Sequence, residues 1–172
     1  MSRLRRKVLA AAAASSVVAA LLAVIPGSAA NAAGPNLAAG KTLTASSFTD
    51  VYPAGNAGDG NANTYWESNN NAFPQWLQVD LGSSVGVNQV VLKLPPATAW
   101  QTRTETLAVQ SSATGSNFAD LVAGAGYTFN PATGNTVTIN FTAATTRYLR
   151  LNLTGNTGWP AGQLSEFEVY AS

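Results

Sequence analysis

Gln75-Trp76-Leu77-Gln78-Val79-Asp80-Leu81 alternates without a break. In an extended chain successive side chains point to opposite faces, so Leu77, Val79 and Leu81 share one side and Trp76, Gln78 and Asp80 the other. The same rhythm returns along the chain. Asn88–Leu94 carries Val90, Leu92 and Leu94 in phase and is stopped by Pro95-Pro96. Thr104–Gln110 gives Leu107 and Val109, and Thr136–Phe141 gives Val137, Ile139 and Phe141. Arg147–Leu153 gives Leu149, Leu151 and Leu153, with Arg150 and Asn152 opposite. A closing run turns Phe167 and Val169 inward and Glu166, Glu168 and Tyr170 outward. Six or more short strands separated by Gly, Asn, Thr and Pro, with no sustained 3.6-residue period, predict an all-β sandwich or jelly roll.

The composition narrows the chemistry. The 172 residues include no His and no Cys. That excludes His-dependent triads, His or thiolate zinc sites, iron–sulfur clusters and disulfides. Only 10% of residues are charged, too few for a nucleic-acid clamp. The 46% hydrophobic content fits one compact domain.

Residues 1–32 read as an export signal: Arg3, Arg5, Arg6 and Lys7, an uncharged run from Val8 to Ile25, then Ala30-Asn31-Ala32 as the cleavage pattern. Arg5-Arg6 leaves both the general secretory and the twin-arginine routes open. The working chain is then residues 33–172, a secreted domain. Its five basic residues (Lys41, Lys93, Arg103, Arg147, Arg150) face eight acids, so the +1 of the whole chain becomes −3.

Three features could carry function. The loop Asn56–Thr64 is rich in Gly and Asn, and Asp59 and Thr64 offer hard oxygen donors suited to Ca²⁺, although taken alone such a loop is most simply a turn. It lacks the acidic spacing of an EF-hand. Tyr52, Phe73, Trp100 and Trp159 lie between strands beside Pro, Gly or Asn, where flat rings can stack on sugars or else cap the core. Asn69-Asn70-Asn71, Gln101, Arg103, Asn156 and Gln163 could hydrogen-bond the hydroxyls. Glu166 and Glu168 are spaced like a glycosidase acid pair, at about 6.5 Å along one strand face, but such acids are more often solvated or metal-binding.

Asn36–Lys41, Ala45-Ser46-Ser47, Gly58-Asp59-Gly60-Asn61, Thr64, Trp66-Glu67-Ser68, Gln75–Gly82, Arg147–Leu151 and Leu164–Val169 together resemble the discoidin domain, also called the coagulation factor type C domain. The likeness spans about Asn36 to Tyr170. Within that family it is nearest to the family-32-like carbohydrate-binding modules of secreted bacterial glycan-degrading enzymes, such as those accompanying α-1,3-glucanases. The resemblance implies an eight-stranded antiparallel β-sandwich jelly roll, galactose-binding-like, with one structural Ca²⁺. It assigns the ion to Asn56, Asp59, Asn61, Thr64, Ser165 and Glu166, and the ligand to loops holding Tyr52, Asn70, Phe73, Trp100, Gln101, Arg103 and Trp159. The missing His departs from galactose-binding relatives. The missing Cys and the −3 charge depart from lipid-binding ones.

The expected function is therefore a secreted, monomeric, non-catalytic module for an extracellular polysaccharide, with α-1,3-glucan or a fungal wall glycan as candidates, and with no nucleic-acid partner and no membrane partner once the signal is cleaved. Two other classes compete. One is a small glycoside hydrolase or lyase using Glu67, Glu105 or Glu168, which would release reducing ends. The other is a protein-binding adhesion domain, whose binding free oligosaccharides would not compete.

Overall fold

A computed structural model describes residues 34–171; the export segment read from residues 1–32 lies outside them. The strands are β1 (Thr42–Ala45), β2 (Trp66–Glu67), β3 (Gln75–Lys93), β4 (Arg103–Ser112), β5 (Ala119–Phe129), β6 (Thr136–Asn156), β7 (Gln163–Leu164) and β8 (Glu166–Tyr170). Short 3-10 turns at Ala54–Gly58, Thr98–Trp100 and Pro131–Thr133 are the helical elements of the described residues. None is long and apolar enough to cross a membrane.

The sequence separates Gln75–Leu81 from Asn88–Leu94, and Thr136–Phe141 from Arg147–Leu153. In the structure each pair is one long strand bent between layers. The register of β3 on β6 breaks between Asp80 and Val85. Gly82 sits there at φ 86°, a conformation glycine adopts without penalty, and donates to Asp80 Oδ1 at 2.8 Å. Arg147 Nε and Nη2 grip the two Asp80 oxygens at 2.8 Å each, clamping the bend and holding that carboxyl down to about 2.

Below the bend, β3 lies between β1 and residues 148–153 of β6, and β4 and β5 extend the layer beyond β6. Above it, β3 pairs with β8 and with residues 136–140 of β6. All these pairings are antiparallel, and two strands passing through both layers close the sandwich.

The alternating residues meet between the layers. Leu77, Val79, Leu107, Val109, Leu149, Leu151 and Leu153 face Val90, Leu92, Phe167 and Val169, all essentially buried. Ile139 is buried in its run, whereas Val137 and Phe141 only pack against the core edge. One inward–outward assignment changes: Glu166 points away from Phe167 but is 6% exposed, because the chain around Asp59 and Gly60 covers it. The exposed edge strand β5 has no apolar alternation to reveal it.

Candidate functional site

Strands β2 and β7 are two residues each, paired Trp66 to Leu164 and Glu67 to Gln163. Alternation along a strand sends the two pairs to opposite faces. Trp66 and Leu164 enter the core, and Glu67 and Gln163 turn the other way as a polar pair. Gln163 Nε2 donates to Glu67 Oε2 at 2.7 Å, and Gln163 Oε1 accepts from Arg103 Nη1 at 2.7 Å. The Arg103 guanidinium also donates to the Trp100 carbonyl and lies 4.8 Å from the Trp100 ring centre. Burial lowers its pKa, with Glu105 and Glu67 opposing that shift. A side chain at Gly158 would meet Arg103 at 2.9 Å, so the loop after β6 can pass only with glycine there.

That loop presents Trp159. Asn156 Oδ1 accepts from the backbone N–H groups of Gly158 (2.9 Å) and Trp159 (3.3 Å), and its Nδ2 donates to Ala161 O and to Glu105 Oε1. Trp159 Nε1 donates to Glu67 Oε1 at 3.1 Å, while the ring remains 46% exposed. Tyr65 meets Trp100 edge-on at 4.7 Å, and Tyr52 stacks behind Tyr65 at 4.4 Å. Together Tyr65, Glu67, Trp100, Arg103, Trp159 and Gln163 line an open cleft of about 270 Å³. A carboxylate, an amide and a guanidinium form its floor beside two indoles.

Of the ligand residues expected from sequence, Trp100, Arg103 and Trp159 line this cleft, as does Gln163 from the candidate hydroxyl-binding residues. Tyr52 supports its wall. Gln101 is exposed at φ 53° and outside the lining, as is Asn70, and Phe73 packs against the core. Tyr65 and Ala99 line the cleft without a signal in the sequence. Glu67, which the sequence offers only as a catalytic acid, lies at the centre; a buried Trp66 beside it is the clue, since its neighbour must face the other way.

Beneath the floor, Glu105 is wholly buried. Its Oε1 accepts from Asn156 Nδ2 (2.9 Å) and Gln163 N (3.2 Å), while Oε2 has no partner among the described residues. Burial pushes its pKa well above the usual carboxyl range, outweighing the backbone bond from Gln163 and the charge of Arg103. A raised folded pKa means stability is fully present below the unfolded pKa and lost as pH rises through the folded one. Glu105→Gln removes that loss, so its melting temperature is expected to gain on the native chain as pH rises. Parallel melting curves across pH would show that Glu105 carries no such linkage.

A second cavity, also about 270 Å³, is lined among others by Asn36, Asp59, Gly60, Lys93, Glu166 and Glu168. It brings Asp59 and Glu166 together; Asn56, Asn61, Thr64 and Ser165 are not in its lining. Asn56 Nδ2 donates to Tyr65 O, and Thr64 Oγ1 donates to Asp59 Oδ2 at 2.7 Å and contacts Asn61 O at 2.8 Å. Asn61 N binds Asp59 Oδ1 at 2.8 Å. Lys93 pairs with Glu168 at 2.6 Å. Glu166 Oε1 and Ser165 Oγ are buried without a partner among the described residues. Burial, then the nearby Asp59 charge, raises the Glu166 pKa.

The comparison with curated proteins yields no match to the chain. Among solved structures, chitosan-binding module 1 of a chitosanase/glucanase from Paenibacillus sp. IK-5 is 38% identical, covering 80% of this chain and 100% of its own at a TM-score of 0.63. Chitosan-binding module 2 of that enzyme, solved with chitotriose, is 30% identical, covering 79% and 100% at 0.61. The CBM32 module of AlyQ, solved with 4,5-unsaturated mannuronic acid, is 26% identical, covering 76% and 95% at 0.64. The profile of the NedA-like, galactose-binding domain, of the F5/F8 type C group, matches residues 56–151. With that match and these modules superimposing on its sandwich, the chain belongs to the NedA-like galactose-binding (F5/F8 type C) domain family.

Proposed function

We propose that the chain is a secreted, non-catalytic carbohydrate-binding module that holds an extracellular polysaccharide in the cleft between Trp100 and Trp159. The observation that carries the reading is the pairing of two indole rings with a floor of fixed polar groups. Rings supply area to a sugar face, and the Glu67–Gln163–Arg103 chain selects hydroxyl or amine orientation. Among the described residues only one carboxylate, Glu67, is in the cleft lining; Glu105 is sealed below and Glu168 lines the other cavity, which supports binding without turnover.

We propose a fungal wall polysaccharide as the ligand, with α-1,3-glucan and chitosan as the two forms to test. Glu67 favours the amine-bearing polymer, because a carboxylate held between two donors still has lone pairs for an ammonium group. The chitosan-binding relatives point the same way. The native chain is expected to co-sediment with insoluble chitosan or α-1,3-glucan without releasing reducing ends. Trp159→Ala should weaken retention about tenfold at unchanged melting temperature. Trp100→Ala should weaken it about as much and also lower the melting temperature, because that ring packs against the core and Tyr65. No retention of the native chain on either polymer, or on a wider polysaccharide panel, would sink the reading.

We further propose a structural Ca²⁺ in the second cavity. Two acids, one of them with a buried and unpartnered carboxylate oxygen, supply the hard-oxygen donors this ion takes. Asp59 and Glu166 would hold it, tying the Asn56–Thr64 loop to β8.

A further inference from the structure

Three large hydrophobic side chains stand exposed among the described residues: Phe48 at 56%, Val51 at 68% and Trp159 at 46%. Single exposed apolar residues need no explanation. These three, however, sit on segments hydrogen-bonded to one short strand, β2. Trp159 bonds the Glu67 side chain, and the loop carrying Phe48 and Val51 bonds the backbone of the same residue. Thr49 N donates to Glu67 O at 3.0 Å, and Glu67 N donates to Tyr52 O at 3.2 Å.

The loop is also held on its other side. Ser47 O accepts from Trp66 Nε1 at 2.9 Å, and Ser47 Oγ accepts from Asn69 N at 3.0 Å. Phe48 is thus flanked by two anchored residues, and Asp50 turns the tip at φ 48°. A ring displayed on a fastened loop loses little freedom when something covers it.

A cleft of about 270 Å³ holds only a short piece of a polysaccharide, so a polymer seated there continues beyond it. We infer that the Phe48–Val51 loop is a second stacking platform, which receives the sugar units of the same polysaccharide as it leaves the cleft past Glu67. This rests on the glycan reading of the cleft and adds a length requirement to it: short oligosaccharides fill the cleft alone, and longer ones reach Phe48.

The test uses the full chain and a ladder of β-1,4-glucosamine oligomers and α-1,3-glucan oligomers, from dimer to octamer. Native affinity should rise with length. Phe48→Ala should remove that rise, weakening the longest oligomers about threefold to tenfold, and leave the shortest ligand and the melting temperature unchanged. Phe48→Trp should restore the rise. Trp159→Ala should weaken every length, which separates the cleft from the loop. Native affinity independent of length, or Phe48→Ala binding long oligomers like the native chain, overturns the platform while leaving the cleft reading intact. Binding to phosphatidylserine vesicles lost in Phe48→Ala, with long-oligomer affinity unaltered, also overturns it by giving the loop to a lipid surface. A native chain that binds no oligomer overturns both readings.

Discussion

Replacing Trp66 by alanine is expected to cost about 3–5 kcal/mol of folding stability, the range for emptying a large aromatic site in a packed core. A domain of this size has only about 5–15 kcal/mol in total. Strand β2 is two residues long, so its ladder to β7 cannot hold it in place alone. The fully buried Trp66 ring holds it instead. It packs close to Gly162, where an added Cβ would already sit 3.3 Å from the indole and 3.0 Å from Leu153. Its Nε1 ties the Ser47 loop to the same strand. The next residue is Glu67, so disturbance of β2 moves the cleft floor as well. Trp66→Phe keeps much of the packing and loses the Ser47 bond, and should cost clearly less. Urea unfolding of the three chains, with glycan retention measured on each, checks both halves. A Trp66→Ala chain within about 1 kcal/mol of the native one would show that β2 is held by something other than this side chain.

That dependence explains which parts of the molecule the sequence displays. Leu77, Val79 and Leu81, or Leu149, Leu151 and Leu153, announce themselves because each run is long enough to show a period of two. The bend in β3 does not. The chain turns at Gly82 with φ 86° and resumes its strand at once, and only the register with the partner strand reveals that the layer has changed. A two-residue strand has no period to read, so Glu67 and Gln163 become a facing pair only once β2 and β7 are seen together. Phe73 misleads in the opposite sense, because its Asn and Pro neighbours suggest an exposed loop and its ring lies against the core. Trp100, Arg103 and Trp159 are readable as chemistry, being aromatic and cationic residues in loops. Their convergence depends on Asn156 and Gly158, small local devices that no composition argument reaches.

The other large effect concerns Asp59 and Glu166, which lie far apart in sequence yet line one cavity. Asp59 is already oriented: Asn61 N holds one oxygen and Thr64 Oγ1 the other. Glu166 is not, since its Oε1 is buried with no partner among the described residues and its charge is opposed first by burial and then by Asp59. Two acids in that position work against folding, offset only in part by the nearby Lys93 charge, unless a further cation lies between them. If Ca²⁺ occupies the cavity as proposed, it binds the folded chain alone and stabilises it by mass action, about 2.7 kcal/mol at a hundredfold excess over its Kd. For a domain of this length that corresponds to a fall in melting temperature of about 10 °C when a chelator removes the ion. Glu166→Gln should abolish the calcium dependence. It should also melt above the chelated native chain, because the amide ends the repulsion with Asp59. The two halves separate the roles of the residue: loss of response alone reports a ligand, and gain in the chelated state reports relief of a buried charge. Identical melting of the native chain with calcium and with chelator would remove the ion from the cavity and leave Glu166 as a cost of the fold that Lys93 offsets only in part.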